Sequence, residues 1–236
     1  MEIVHKKFTN MNYYYLRISL KDAGSAPMQI KGMSDGYDFG AANSLRKLKF
    51  FIKPAFIPNL QYFVLAHKAK VTDFIQNSFI SAYVFLMSQK AKNIMEKFNL
   101  PQHIYFAAGV MYHKKMLDDY YWLHLLEEDD NLIDLMESNF CIQGRSLDGW
   151  HEEEIEPANF KSMEEFIQKH KEIAGRMRYI RPYKLRVKAN SMNRDMYVLT
   201  FMHGIYVISE NLKNALEAEK ITGIEILPLD FEFKVI

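Results

Sequence analysis

Ser34 sits at the centre of Gly32-Met33-Ser34-Asp35-Gly36, a G-x-S-x-G spacing. In serine hydrolases that pattern works because a sharp strand-to-helix turn exposes the hydroxyl. Here Tyr37-Asp38-Phe39-Gly40 follows, which is poor helix material, so the expected reading is a glycine-rich surface loop. The histidines are scattered. His113 and His124 flank an expected turn and could face each other, but no third ligand stands at metal spacing. His151-Glu152 lacks the second histidine of a zincin helix. A dinucleotide fingerprint and a phosphate-binding G-x-x-x-x-G-K loop are both missing. The residues therefore point to a protein that is not an enzyme and carries no cofactor or metal.

Charge offers binding chemistry instead. Glu127-Glu128-Asp129-Asp130 falls where a hairpin turn is expected, and Glu152-Glu153-Glu154 follows closely on Trp150. Clustered carboxylates beside an aromatic anchor can dock a basic partner, with charge setting the encounter rate and the ring supplying affinity. These eight residues are the candidate partner-binding set, although solvated loops would look the same. The alternative lies in the basic segment 169–188, where lysine and arginine interleave with Tyr179 and Tyr183. Such a run can grip phosphates and stack bases, making a nucleic-acid-binding module. An exposed helix face followed by a lysine-guarded edge strand has the same composition.

The elements that must position these groups can be read from periodicity. Met11–Leu20, Leu60–Ala66, Lys70–Ile75, Ala82–Met87 and Ile104–Tyr112 read as strands, the second and third as a pair, and Lys21–Gly40 as a loop. Ser88 has the hydroxyl of an N-cap, and Ala91, Ile94, Met95 and Phe98 follow as one helical stripe. Leu100-Pro101 closes that helix, because proline disfavours helical geometry in the residue before it. Ile205–Ile208, the cap Ser209, the stripe Leu212, Ala215 and Leu216, and the strand Ile224–Leu229 repeat the order. The two stretches align without gaps at an offset of 121, pairing Ser88 with Ser209, Lys92 with Lys213, Asn93 with Asn214 and Glu96 with Glu217. A weaker echo relates Val71–Ile75 with Asn77-Ser78-Phe79 to Leu132–Met136 with Ser138-Asn139-Phe140, each with an aspartate inside an apolar strand. Between the copies, Ser162-Met163-Glu164-Glu165 fits a capping box and Tyr183–Lys188 alternates like a half-exposed strand.

The expected fold class is α+β, with duplicated strand–helix–strand units around a mainly antiparallel sheet and a helical insertion in the second half. The expected division is an N-terminal strand and glycine-rich loop over 1–58, then a duplicated region over 59–236. Its copies run about 60–117 and 118–236, with the insertion at about 144–194.

The 236 residues are 49% hydrophobic and 25% charged, ordinary for a chain that builds a real core. The single cysteine cannot form an internal disulfide, no apolar leader opens the chain, and no run is long enough to span a bilayer, so the cytoplasm is the expected compartment. The net charge of +1 hides a segregation: residues 1–117 carry 16 basic and 6 acidic side chains, whereas residues 118–156 carry 13 acidic ones and only Arg145 as a base.

The run Val84–Val110, with its serine-capped helix, Phe98-Asn99-Leu100-Pro101 exit and Ile104-Tyr105-Phe106-Ala107 strand, resembles the eleventh immunity family of bacterial polymorphic toxin systems. Tyr120-Tyr121-Trp122-Leu123-His124 followed by Ile133-Asp134 and Phe140 is similar to a second stretch of that family. Tyr206-Val207-Ile208-Ser209 through Ile221-Thr222-Gly223-Ile224-Glu225 resembles its C-terminal signature. The likeness covers roughly residues 60–141 and 195–230. Thr222 stands in the position that Pro101 holds in the other copy, and Ala107 where Pro228 stands. The resemblance implies a cytoplasmic protein that binds and neutralises a cognate toxin protein without catalysis, and it supplies no catalytic residues to carry over.

Overall fold

A computed structural model gives the architecture; it describes residues 12–19, 21–24, 28–76, 84–145, 152–174, 178–188, 194–201 and 204–236. Among these the protein is mixed α/β, mostly strands in three sheets, with three α-helices. No helix of the described residues is long and apolar enough to cross a membrane.

The first sheet has six strands. They are β2 (Ile30–Met33), β3 (Phe63–Leu65), β4 (Phe74–Ile75), β5 (Val84–Ser88), β6 (His103–Tyr112) and β7 (Lys115–Leu125), in the spatial order β2-β3-β6-β7-β5-β4. The helix α1 (Gln89–Met95) links β5 to β6. The long β6–β7 hairpin turns at His113 and Lys114, both in the left-handed region. The second sheet is formed by β1 (Tyr13–Ile18), β11 (Met196–Leu199), β12 (Ile205–Ser209) and β13 (Ile224–Pro228), ordered β11-β12-β1-β13. Here α3 (Glu210–Ala218) links β12 to β13. The third sheet, β14-β10-β8-β9, comprises β8 (Asn139–Arg145), β9 (Glu152–Ala158), β10 (Arg178–Val187) and β14 (Glu232–Val235), with α2 (Met163–Ala174) between β9 and β10.

Two parts of this layout share one pattern. In β4-β5-β7-β6 and in β11-β12-β1-β13 every neighbouring pair is antiparallel. In each, a serine-capped helix leaves the second strand and returns as the fourth, with a further strand inserted between them. The inserted strand is β7 in the first case and the N-terminal β1 in the second.

Side-chain alternation explains the stacking. On β5, Phe85 and Met87 enter one cluster and Val84 and Leu86 another. On β11, Met196 and Val198 face the first cluster while Tyr197 and Leu199 face a third. Strands buried on both faces read as continuous apolar runs for this reason. The central cluster holds Ala91, Ile94 and Met95 of α1 with Leu212 and Leu216 of α3, between the first two sheets. Phe85 and Tyr206 meet across it with ring centroids 4.4 Å apart. Phe140, Phe160 and Phe166 close the third sheet beneath α2.

Several sequence expectations need correction. Leu60–Ala66 and Lys70–Ile75 do not pair: β3 lies between β2 and β6, and β4 lies on the opposite edge against β5. Alternation shows that a segment is a strand, not which partner it takes. The expected loop Lys21–Gly40 contains β2. Leu132–Met136 is not a strand, because residues 130–132 form a 3-10 turn and Ile133 makes only an isolated bridge to Val187. The Asn77-Ser78-Phe79 half of that echo lies outside the described residues. The Glu127–Asp130 segment is not a hairpin turn, since it carries the chain from β7 of the first sheet towards β8 of the third.

Candidate functional site

The four consecutive carboxylates are drawn into hydrogen bonds with the protein, Asp129 fully and the other three in part. Asp129 is 1% exposed, and none of Glu127, Glu128 and Asp130 is fully exposed. The Asp129 N–H donates to Val198 O at 2.8 Å, and its carboxylate accepts the Val198 N–H at 2.7 Å and an arm of the Arg194 guanidinium. The Asp130 carboxylate accepts from the Thr200 N–H at 2.8 Å, the Thr200 hydroxyl and the Phe201 N–H at 3.0 Å. Glu127 accepts from the other arm of Arg194 at 2.8 Å and from the Gln102 N–H at 2.8 Å, while Glu128 accepts the Asp130 N–H at 2.6 Å. The same stretch reaches the third sheet, because Lys188 N–H donates to Leu132 O and Asp134 N–H to Arg186 O. One short acidic segment thus ties the end of β7, the edge strand β11 and β10 together. Burial raises the Asp129 carboxyl to about 6 against the pull of Arg194 and the Val198 N–H, and it raises Glu128 and Asp130 as well. Beside this junction lies an open recess of about 500 Å³, walled by Asn99, His103, Glu127 and Arg194 among others.

The second half of the candidate set is placed differently. Glu152, Glu153 and Glu154 lie on β9, the edge strand, opposite Arg145, Gly144 and Gln143. Trp150 lies outside the described residues. The structure therefore puts Glu127–Asp130 and Glu152–Glu154 on separate elements, one at the sheet junction and one on a sheet edge.

A second polar arrangement escaped sequence reasoning. The Asp73 carboxylate accepts from the Ser88 hydroxyl at 2.8 Å, and Ser88 in turn accepts the Ala91 N–H that opens α1. The other Asp73 oxygen accepts from the Thr222 N–H and hydroxyl, at the exit of α3. Asp195 accepts from the Ser209 hydroxyl at 2.6 Å, and Ser209 accepts the Leu212 N–H that opens α3. Its other oxygen accepts the Asn99 N–H at 3.0 Å, at the exit of α1. Each aspartate therefore braces the start of one helix, by holding the serine whose hydroxyl accepts an open N–H of the first turn, and the chain that leaves the other. Gly223 completes the second exit: its φ is +83°, and a Cβ there would stand 2.0 Å from Phe74 O. The serine caps were visible in sequence; the aspartates were not, because each sits more than a helix away from the cap it supports.

The remaining candidates occupy structural positions. Ser34 follows β2 with no helix after it, and its N–H donates to Tyr62 O at 2.8 Å, so the nucleophile-elbow geometry is absent. His113 and His124 do not face each other. His113 is in the turn, its ring against His67 and Tyr112, whereas His124 lies at the far end of β7 and donates from Nε2 to Ile52 O at 2.9 Å. The basic segment is divided between α2 and β10, and three of its charges meet carboxylates: Lys169 with Glu156 and Glu172, Arg181 with Asp230, Arg186 with Glu232. Such pairing leaves less positive field for a phosphate backbone.

The fold and these junctions define a strand-rich mixed α/β protein whose conspicuous charged clusters hold sheets and helices together. The sequence matches the model of the Immunity protein family (Imm11) over residues 57–230, and the chain belongs to that family. Its members are immunity proteins of toxin systems and typically non-catalytic, so membership implies toxin neutralisation. No curated protein matches the sequence.

Proposed function

We propose that this protein neutralises a cognate toxin in the cytoplasm by forming a direct, stoichiometric complex, without chemical turnover. The observation that carries the reading is the family match, which spans most of the chain, from residue 57, ahead of β3, to just past β13. Support comes from two side chains that could otherwise perform chemistry, since His124 and Asp129 are each engaged in holding backbone. Co-expression with the toxin encoded by the neighbouring gene should restore growth, and the purified pair should co-elute. Rescue without any complex would contradict direct binding.

The same reading takes the β5-α1-β6 and β12-α3-β13 units as copies of one ancestral element. Their matched antiparallel order, their serine caps and the crossed Asp73 and Asp195 braces support it. On this view the second copy is completed by β1 from the chain's beginning, and Glu127–Asp130 serves the junction between copies rather than the toxin.

A further inference from the structure

The longest acid-free stretch of the chain runs from Phe39 to Thr72 and carries Arg46, Lys47, Lys49, Lys53, Lys68 and Lys70. Within it, the loop 46–57 exposes large apolar side chains: Phe50 at 40%, Ile52 at 54% and Ile57 at 81%. Exposed apolar side chains of this size within twelve residues, interspersed with lysines, are the composition of an interaction surface. Lys47, Lys49 and Lys53 are exposed beside them, and none makes an ion pair among the described residues.

The loop is built to hold that display. At its base, the Asn59 N–H donates to Asn43 O at 2.9 Å, and the Tyr37 hydroxyl accepts the Leu45 N–H at 2.6 Å. The buried Ser44 hydroxyl caps the short turn over Leu45–Lys47. Farther out, Phe51 adopts φ +59° and packs its ring against the central core. A left-handed phenylalanine is unfavourable by itself, and such strain persists where surroundings enforce it, often at functional surfaces. Here the inward turn of Phe51 leaves Phe50 and Ile52 facing out. The carbonyl of Ile52 is fixed by Nε2–H of His124, which is 2% exposed. A preorganised loop loses little freedom on binding.

We infer that loop 46–57 is the docking surface for an acidic face of the toxin, with Ile52 and Ile57 entering an apolar recess and Lys47, Lys49 and Lys53 meeting carboxylates at its rim. This rests on the neutralisation reading above. Charge complementarity selects the occupant: four basic and no acidic residues within the loop 46–57 repel a basic surface and steer an acidic one.

The test uses the full chain and a catalytically inactive form of the neighbouring-gene toxin, titrated calorimetrically. The I52D/I57D variant and the K47E/K49E/K53E variant, each with unchanged thermal unfolding, should bind on the order of 100-fold more weakly than the wild type. Wild-type affinity in both variants overturns the loop assignment while leaving neutralisation intact. Absence of any wild-type complex overturns the neutralisation reading and this assignment with it. Vesicles containing phosphatidylglycerol serve as the competing probe: lysine-dependent capture on them, together with unaltered toxin binding, assigns the loop to a membrane and overturns the proposal.

Discussion

Two charged regions of this protein have opposite fates. Glu127–Asp130 packs four carboxylates into four residues and yet engages all four within the protein, with Asp129 buried. Loop 46–57 spreads its lysines among apolar residues and presents both outward. The difference lies in what each group can reach. Asp129 and Asp130 face the N–H groups of Val198, Thr200 and Phe201 and the guanidinium of Arg194. Those donors compensate the loss of water. Loop 46–57 faces no acidic neighbour in its own stretch of chain, so its lysines stay hydrated and available. Charge density in a sequence thus says little about exposure until the partners are known.

The largest effect that could break this contrast comes from the inward cluster. Asp129→Ala leaves one arm of Arg194 and the Val198 N–H without their acceptor, and should destabilise the fold by about 3 kcal/mol. Denaturant unfolding measures this; a loss below 1 kcal/mol would return the cluster to the solvated surface.

The next effect is pH-dependent. Burial lifts Asp129 from its ordinary 3.8 to about 6, so the folded state holds a proton that the unfolded chain has already released. Stability contributed this way is present below about pH 4 and lost as pH rises through 6, the reverse of an exposed ion-paired carboxylate. The fall should be on the order of 2 kcal/mol, visible as a steeper decline between pH 4 and 6 in the wild type than in Asp129→Asn. Parallel profiles would show that Asp129 does not titrate there.

Smaller still are the helix caps. Ser88→Ala and Ser209→Ala should each cost about 1 kcal/mol, with similar values because Asp73 and Asp195 brace them alike. Costs differing severalfold would argue against equivalent units. Least of all, the loop variants I52D/I57D and K47E/K49E/K53E should change unfolding by less than about 0.5 kcal/mol, since exposed positions tolerate substitution.

Local features were legible in the residues. Ser88 and Ser209 announced their helices through cap and stripe, and both helices start as read, although α1 ends at Met95, before Phe98 of the expected stripe. Tyr13–Ile18 was readable as a strand, but its place between β12 and β13 was not. That pairing joins the two ends of the chain, and periodicity carries no long-range address. The same limit made Leu60–Ala66 and Lys70–Ile75 look like a hairpin. Acidic residues are usually solvated, so Glu127–Asp130 read as a docking loop. The donors that bury it come from β11 and Arg194, some seventy residues on. For the loop 46–57, the basic and apolar residues were visible, but the left-handed Phe51 and the His124 anchor that orient them were not.

The contrast between the two regions is tested most directly by stopped-flow association with the inactive toxin across a range of salt concentrations. The account predicts that K47E/K49E/K53E slows association and flattens its salt dependence, whereas E127Q/E128Q leaves both as in the wild type. A slowed, salt-insensitive E127Q/E128Q beside an unaffected loop variant would contradict it.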